Sequence, residues 1–263
     1  MELSTLCDRL DDRLRTGDYA DLDASANGFQ VGPGPAEATD TDATPVERVA
    51  VAVDAAVATF EAAAAFDADL VVTHHGISWG GIDRVTGTHY RRIAPLIEAG
   101  MALYVSHLPL DGHQELGNAA GIADLLGVVD REPFGTIGPE YVGQRGRFRD
   151  PRPASDVVAD LQAELDTGNR PVRRLDHGPD TVEDVAIVTG SGADWFDEAV
   201  EVGADLLVTG EGKGKLYHEA REAGVGVILA GHYATETFGV RALADLIDEW
   251  GLETTFVDHP TGL

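Results

Sequence analysis

The sequence predicts an α/β protein made of two related β-α-β lobes, and three features of the chain carry that reading. Residues 49–76 and 185–212 align without a gap and share about ten identities. Each stretch holds a short β-branched run, an Ala-rich helical segment and a second apolar run, Leu70–Thr73 in one and Leu206–Thr209 in the other. That order encodes two parallel strands joined by a crossover helix. The likeness then continues past the second strand. Glu98-Ala99-Gly100 precedes a strand Leu103–Ser106 that ends in His107, and Glu222-Ala223-Gly224 precedes Val227–Ala230, which ends just before His232. An internal duplication, with copies at about 49–128 and 185–257, explains all three.

The remaining elements follow in order. Leu3, Leu6, Leu10 and Leu14 recur at helical spacing, so residues 2–15 form an amphipathic helix. Asn27-Gly28-Phe29-Gln30-Val31-Gly32 is a turn entering a short strand. Residues 33–47, rich in Pro, Ala, Thr and acids, form an acidic surface loop. Between the copies, Tyr141–Phe148 and Val172–Leu175 are expected as strands and Ala154–Leu165 as a helix. The domain plan is therefore an amino-terminal lobe at 1–130, an intervening Arg-rich α/β segment at 131–180 and a carboxy-terminal lobe at 181–263. Arg145, Arg147, Arg149, Arg152, Arg170, Arg173 and Arg174 gather in the middle segment. They either pair with the many carboxylates or form a patch for a phosphorylated ligand.

Composition narrows the function classes. The net charge is −27, with 46 acidic residues and only two lysines, Lys213 and Lys215. Such a surface repels phosphate backbones and anionic membranes, which argues against nucleic acid or a bilayer as partner. The carboxylates are dispersed and not blocked, the pattern of a haloadapted surface in a salt-rich cytoplasm. One cysteine, Cys7, forms no internal disulfide and fits a reducing compartment. No basic-then-apolar leader is visible, and no apolar run reaches the roughly 18 residues that span a bilayer. A cytoplasmic location is expected.

Ligand-capable residues replace the apolar run at strand after strand. His74-His75 follows Leu70–Thr73, His107 with Asp111 follows the next strand, Glu211 follows Leu206–Thr209, and His232 with Glu236 follows the last. In parallel α/β sheets, sites collect at these carboxyl ends. An adjacent His pair in a regular strand points its rings to opposite faces, so a turn at Gly76 is needed for both to serve one site. His-x-x-x-Asp or His-x-x-x-Glu alone is commonly an exposed helix-face pair. Its appearance at equivalent points of both copies, with a His pair at a third strand end, points to metal. Imidazole and carboxylate donors without thiolate suit Zn, Mn, Fe, Co or Ni. Five or six such ligands exceed the needs of one ion and suit two divalent ions bridged by Asp111 and Glu236, an arrangement adapted to hydrolysis. Glu211 and His107 are the catalytic candidates. His89, His113 and His259 are read as surface or packed histidines, and Gly190-Ser191-Gly192 as either a phosphate cradle or a tight turn. No Walker A, complete GxGxxG, GxSxG or zinc-finger spacing is present.

The segments THHG (73–76), SHLPLDGHQELGN (106–118), TGEG (209–212) and AGHYATET (230–237), with NGFQVG (27–32), resemble the GTP cyclohydrolase 1 type 2 family over nearly the whole chain. The likeness is to the short members, which lack a large inserted domain. The resemblance implies two α/β lobes facing each other across a dinuclear metal site, with His74, His75, Asp111, His232 and Glu236 as ligands and His107 beside them. It further implies a toroidal homohexamer, a trimer of dimers, and hydrolytic opening of the imidazole ring of GTP or a related nucleotide. A non-enzymatic metal-binding or interaction scaffold of the same ring shape is the alternative it leaves.

Overall fold

A computed structural model describes residues 1–33 and 44–263. Most of the acidic loop expected at 33–47 lies outside the described residues. The chain divides into two units, residues 1–110 with 239–259, and residues 111–238 with 260–263.

In the first unit, α1 (Leu3–Leu14) buries Leu3, Leu6, Cys7, Leu10 and Leu14. The helical spacing of its leucines is thus a packed stripe. Then come β1 (Gly28–Val31), β2 (Arg48–Asp54), α2 (Val57–Ala65), β3 (Leu70–His75), α3 (Thr88–Ala99) and β4 (Ala102–Val105). Val49 to Val53 and Leu70 to His74 are all buried. Continuous apolar runs, and not alternating ones, mark these as interior parallel strands covered on both faces. Their core gathers Phe60, Val71, Leu96 and Leu103. The short α4 (Leu108–Asp111) lies where the chain passes to the second unit.

The second unit holds α5 (Asn118–Leu126), β5 (Val128–Ile137), β6 (Glu140–Pro153), α6 (Ala154–Glu164), β7 (Arg173–Leu175) and β8 (Thr181–Ile187). It continues with α7 (Phe196–Glu201), β9 (Leu206–Thr209), α8 (Leu216–Ala223), β10 (Gly226–Leu229) and α9 (His232–Thr235). Its sheet order is β5-β6-β8-β9-β10-β7, so the strands of the 131–180 segment belong to the same sheet as β8 to β10. Ile122, Phe148, Leu161, Ile187, Val208 and Ile228 pack in its core. The chain then returns through α10 (Thr237–Glu249) to β11 (Glu253–Phe256), which lies parallel to β2. That completes the first sheet, β1-β4-β3-β2-β11.

The duplication is visible atom by atom. Asp69 Oδ2 accepts the amides of Glu47 and Arg48, and Asp205 Oδ2 accepts those of Glu183 and Asp184. The Asp69 carbonyl takes the amide of Ala102, and the Asp205 carbonyl that of Gly226. Each aspartate therefore ties three successive parallel strands together in its own unit. No helix among the described residues is long and apolar enough to cross a membrane.

Cys7 offers a simple check of the α1 packing. Burial, followed by the charges of Asp11 and Asp8, pushes its thiol up to about 12. Only the thiolate reacts, so the folded protein at pH 8 should resist iodoacetamide and label fully in denaturant. Rapid native labelling would show that α1 is not docked.

Candidate metal centre

The first unit brings three of the expected histidines together. His74 and His75 end β3, and His107 follows β4 by two residues. A ring nitrogen of each lies within 4.8 Å of the others, and the His74 and His107 ring centres are 5.0 Å apart. The structure differs from expectation in how His74 and His75 meet. No turn precedes His75: β3 runs through it, with His75 opposite Asp54 on β2. The rings still converge to 4.7 Å, because an acceptor at the strand ends holds each one.

Those acceptors define the chemistry. His74 Nδ1 faces the Ser106 carbonyl at 2.9 Å, His75 Nδ1 faces Asp54 Oδ1 at 2.8 Å, and His107 Nδ1 lies 3.0 Å from both oxygens of Asp23. A carbonyl or a carboxylate can only accept, so Nδ1 carries the proton in all three rings. The lone pair is thereby placed on Nε2, the tautomer of a metal-ligating histidine with its outer nitrogen anchored. Asp23 is itself tightly held, accepting the amides of Ser25 and Leu108 and the Asn27 side chain. Burial alone would raise its carboxyl, but the His107 ring, Asn27 and the Ser25 amide together outweigh it and bring the pKa down to about 2. It is therefore an anion at any working pH.

The NGFQVG motif serves this strand end. Gln30 Oε1 accepts the Ile77 amide at 2.8 Å, while its amide nitrogen donates to the Ala26 carbonyl. A Cβ on Gly76 would stand 2.7 Å from that side chain, so the THHG glycine is needed for the Gln30 clamp. Neither Asp23 nor Asp54 was singled out by sequence, and no local motif marks them. Asp54→Asn should keep the fold and lower metal affinity by about 10–100-fold, since an amide orients the ring less firmly. Metal titration by calorimetry reads this directly, and unchanged affinity would exclude His75 as a ligand.

The second unit assembles Asp111, Glu211, His232 and Glu236. Carboxylate oxygens of Asp111 and Glu236 lie within 4.8 Å of each other, and both residues are buried. Asn118 Nδ2 donates to Asp111 at 2.9 Å and Thr189 Oγ1 at 3.3 Å, which fixes that carboxylate. His232 Nε2 is 3.2 Å from Glu236 Oε2, one helical turn on, and its Nδ1 is 3.1 Å from Glu211 Oε1. Glu211 also accepts the Ser191 hydroxyl. That hydrogen bond first, against partial burial and with help from His232, lowers the Glu211 pKa. Glu211 thus accepts the His232 Nδ1 as Asp54 accepts that of His75.

The weaker signals resolve as packing. In the Gly-Ser-Gly turn, the Gly190 amide goes to Thr235 Oγ1 and the Gly192 amide to Thr209 Oγ1, both buried, so these two amides are already engaged within the protein. His113 Nδ1 accepts the Glu115 and Leu116 amides. Arg145 pairs with Glu132, Arg147 with Asp130, Arg152 with Asp160 and Arg174 with Asp176. The arginines of the middle segment thus mostly neutralise neighbouring acids.

Donor type, spacing and anchoring in both units fit divalent metal. The comparisons agree with the motifs. The family model described as Duf34/NIF3 (NGG1p interacting factor 3) matches residues 1–261. A Halobacterium salinarum protein named GTP cyclohydrolase 1 type 2 homolog is 57% identical over 263 residues, with all of both chains covered. A Pyrococcus abyssi protein of the same name is 41% identical, again over the full length of each. A crystal structure of a Thermus thermophilus protein superposes with a TM-score of 0.86 at 39% identity, covering 100% of both chains. The chain belongs to the Duf34/NIF3 family.

Proposed function

We propose that this protein is a metal-dependent hydrolase acting on a nucleotide, with His74, His75, Asp111, His232 and Glu236 as ligands of two divalent ions. The observation that carries the reading is the anchoring of imidazoles. Four histidines each have Nδ1 on a protein acceptor, and each anchored ring stands beside further nitrogen or carboxylate donors. Stabilising a fold does not require that arrangement, whereas presenting lone pairs to an ion does. Divalent ions bound there would supply Lewis acidity toward substrate and water.

The residues of the chain have separate tasks in this reading. Asp54, Ser106 and Glu211 hold the tautomers of their ligands. Asn118 and Thr189 keep Asp111 aimed. Asp23 and Asn27 fix His107 at both its ring and its backbone amide, the latter at 2.7 Å. His107 is thereby available to contact substrate. The names of the relatives suggest GTP as the first nucleotide to try, and a homohexamer belongs to the same proposal.

Elemental analysis of protein purified in high salt should find up to two ions per chain. Turnover on GTP and a nucleotide panel should then follow metal loading, with a scattering mass near six times that of the subunit. Metal content near zero after reconstitution would end the reading. Loaded protein that turns over nothing, while Asp111→Ala and Glu236→Ala dissolve the assembly, would favour a scaffold. The salt matters: at −27 per chain the subunits repel one another unless counter-ions screen them.

A further inference from the structure

Trp79 is held in place but exposed. About half of its surface, 53%, is open to solvent, although large aromatic rings on a folded protein are usually covered. Its ring stands edge-on to His107 at 4.8 Å between centres and 6.0 Å from His75. Its backbone pairs with Ser25, and the next amide, Gly80, donates to the Ala24 carbonyl at 2.8 Å. Ser25 lies between Asp23 and Asn27, the two residues that fix His107. One short loop therefore positions both the histidine and the tryptophan. Gly80 and Gly81, with φ of 76° and 101°, then turn the chain away directly after the ring.

The turn opens into a hollow of about 640 Å³ lined by Gly81, Ile82, Asp83, Arg84 and His89. That volume is in the range of small-molecule sites. The charge of this stretch is also opposite to that of the protein. Residues 76–92 carry Arg84, Arg91 and Arg92 against one acid, Asp83, in a chain of net charge −27. Arg91 is engaged with Thr88 and Arg92 with the Ile77 carbonyl, which leaves Arg84 as the cation lining the hollow, with His89 beside it and one carboxylate, Asp83, against it. A half-exposed indole on an anchored backbone, beside anchored histidines and next to a hollow that offers an arginine, suits a flat ring bearing an anion.

We propose that Trp79 is the stacking platform for the heteroaromatic ring of a phosphorylated ligand, whose phosphate lies in the hollow at Arg84 and His89. This rests on the nucleotide reading above and assigns substrate selectivity to residues outside the metal ligands. Trp79 is a positioning residue for the base, and Arg84 contributes affinity for the anion without reading the ring.

Binding separates this proposal from the hydrolase reading, because it needs no turnover. Metal-loaded protein is titrated calorimetrically with GMP and with ribose 5-phosphate, which keeps the phosphate but lacks the ring. GMP should bind at least ten-fold more tightly. Trp79→Leu, which fills the space without a π-face, should weaken GMP by about 10–100-fold, the effect of losing one base–aromatic stack. It should leave ribose 5-phosphate unchanged. Trp79→Phe should retain most of the GMP affinity, and Arg84→Ala should weaken both ligands alike. All variants are compared at equal metal content and after matching thermal melts. Equal GMP affinity in the Leu and Phe variants, equal affinity of the wild type for the two ligands, or no GMP binding would each overturn the platform. GMP binding that follows this pattern without nucleotide turnover would uphold the platform and reject the hydrolase.

Discussion

Removing the His74 imidazole should abolish most of the stabilisation that the proposed divalent metal would confer on this protein. His74 is fully buried at the end of β3, with Nδ1 on the Ser106 carbonyl. A ligand that binds only the folded state stabilises it by RT ln(1 + [L]/Kd), which is about 4 kcal/mol at a thousand times Kd. Loss of a direct ligand should exceed the roughly 10–100-fold cost of losing an orienting partner. At a hundred-fold weaker affinity, the same metal concentration stabilises His74→Ala by only about 1.4 kcal/mol. The measurement is a pair of denaturation curves, with metal and with chelator, for wild type and variant. Similar curves for the two apo proteins would assign the difference to metal. A His74→Ala protein that keeps the full metal-induced shift would remove His74 from the ligand set.

Gly190→Ala should cost the metal-free protein about 2–5 kcal/mol, combining the strain of a left-handed backbone with overpacking. Gly190 has φ of 55°, and an added Cβ would overlap Glu236 Oε1 and fall 3.1 Å from His232 Nε2. Glu236 is only 3% exposed, so its carboxylate cannot swing aside into water. The methyl group therefore acts twice, on the turn and on two proposed ligands. Gly214→Ala, where nothing lies within 4 Å, is the matched control and should change stability by less than about 1 kcal/mol. Denaturant midpoints measured in chelator report the fold, and metal titration reports the ligands. A Gly190→Ala protein as stable as the control, with unaltered metal affinity, would show that this packing is not as described.

Much of this was legible in the chain because the signals are local. The leucines of α1, the paired β-α-β runs and the His-x-x-x-acid elements after β4 and β10 are all read within one short window. What escaped is long-range. Asp54 meets His75 from 21 residues away and Asp23 meets His107 from 84, and neither carries a mark that separates it from the other acids of a chain holding 46. The same abundance of acid made pairing of the middle-segment arginines an expected reading without naming their partners. The turn expected at Gly76 failed for a different reason. Alternation of side chains describes an ideal strand, while His74 and His75 sit at a strand end, where an acceptor on each Nδ1 can draw the rings together. Gln30 stood in a recognised motif, but its task appears only when β1 lies beside the β3 exit. The return of α10 and β11 to the first sheet was equally invisible, because nothing in their composition names the strand they join.

That return has a consequence for how the protein is made. Arg48 and Glu253 are joined by an ion pair at 3.2 Å, although 205 residues separate them in the chain. During synthesis β2 emerges early and waits for β11 with one edge open, the most association-prone condition of a strand. Residues 111–238 form an uninterrupted stretch and can complete their own sheet in that interval. The first unit to begin leaving the ribosome is therefore the last to close.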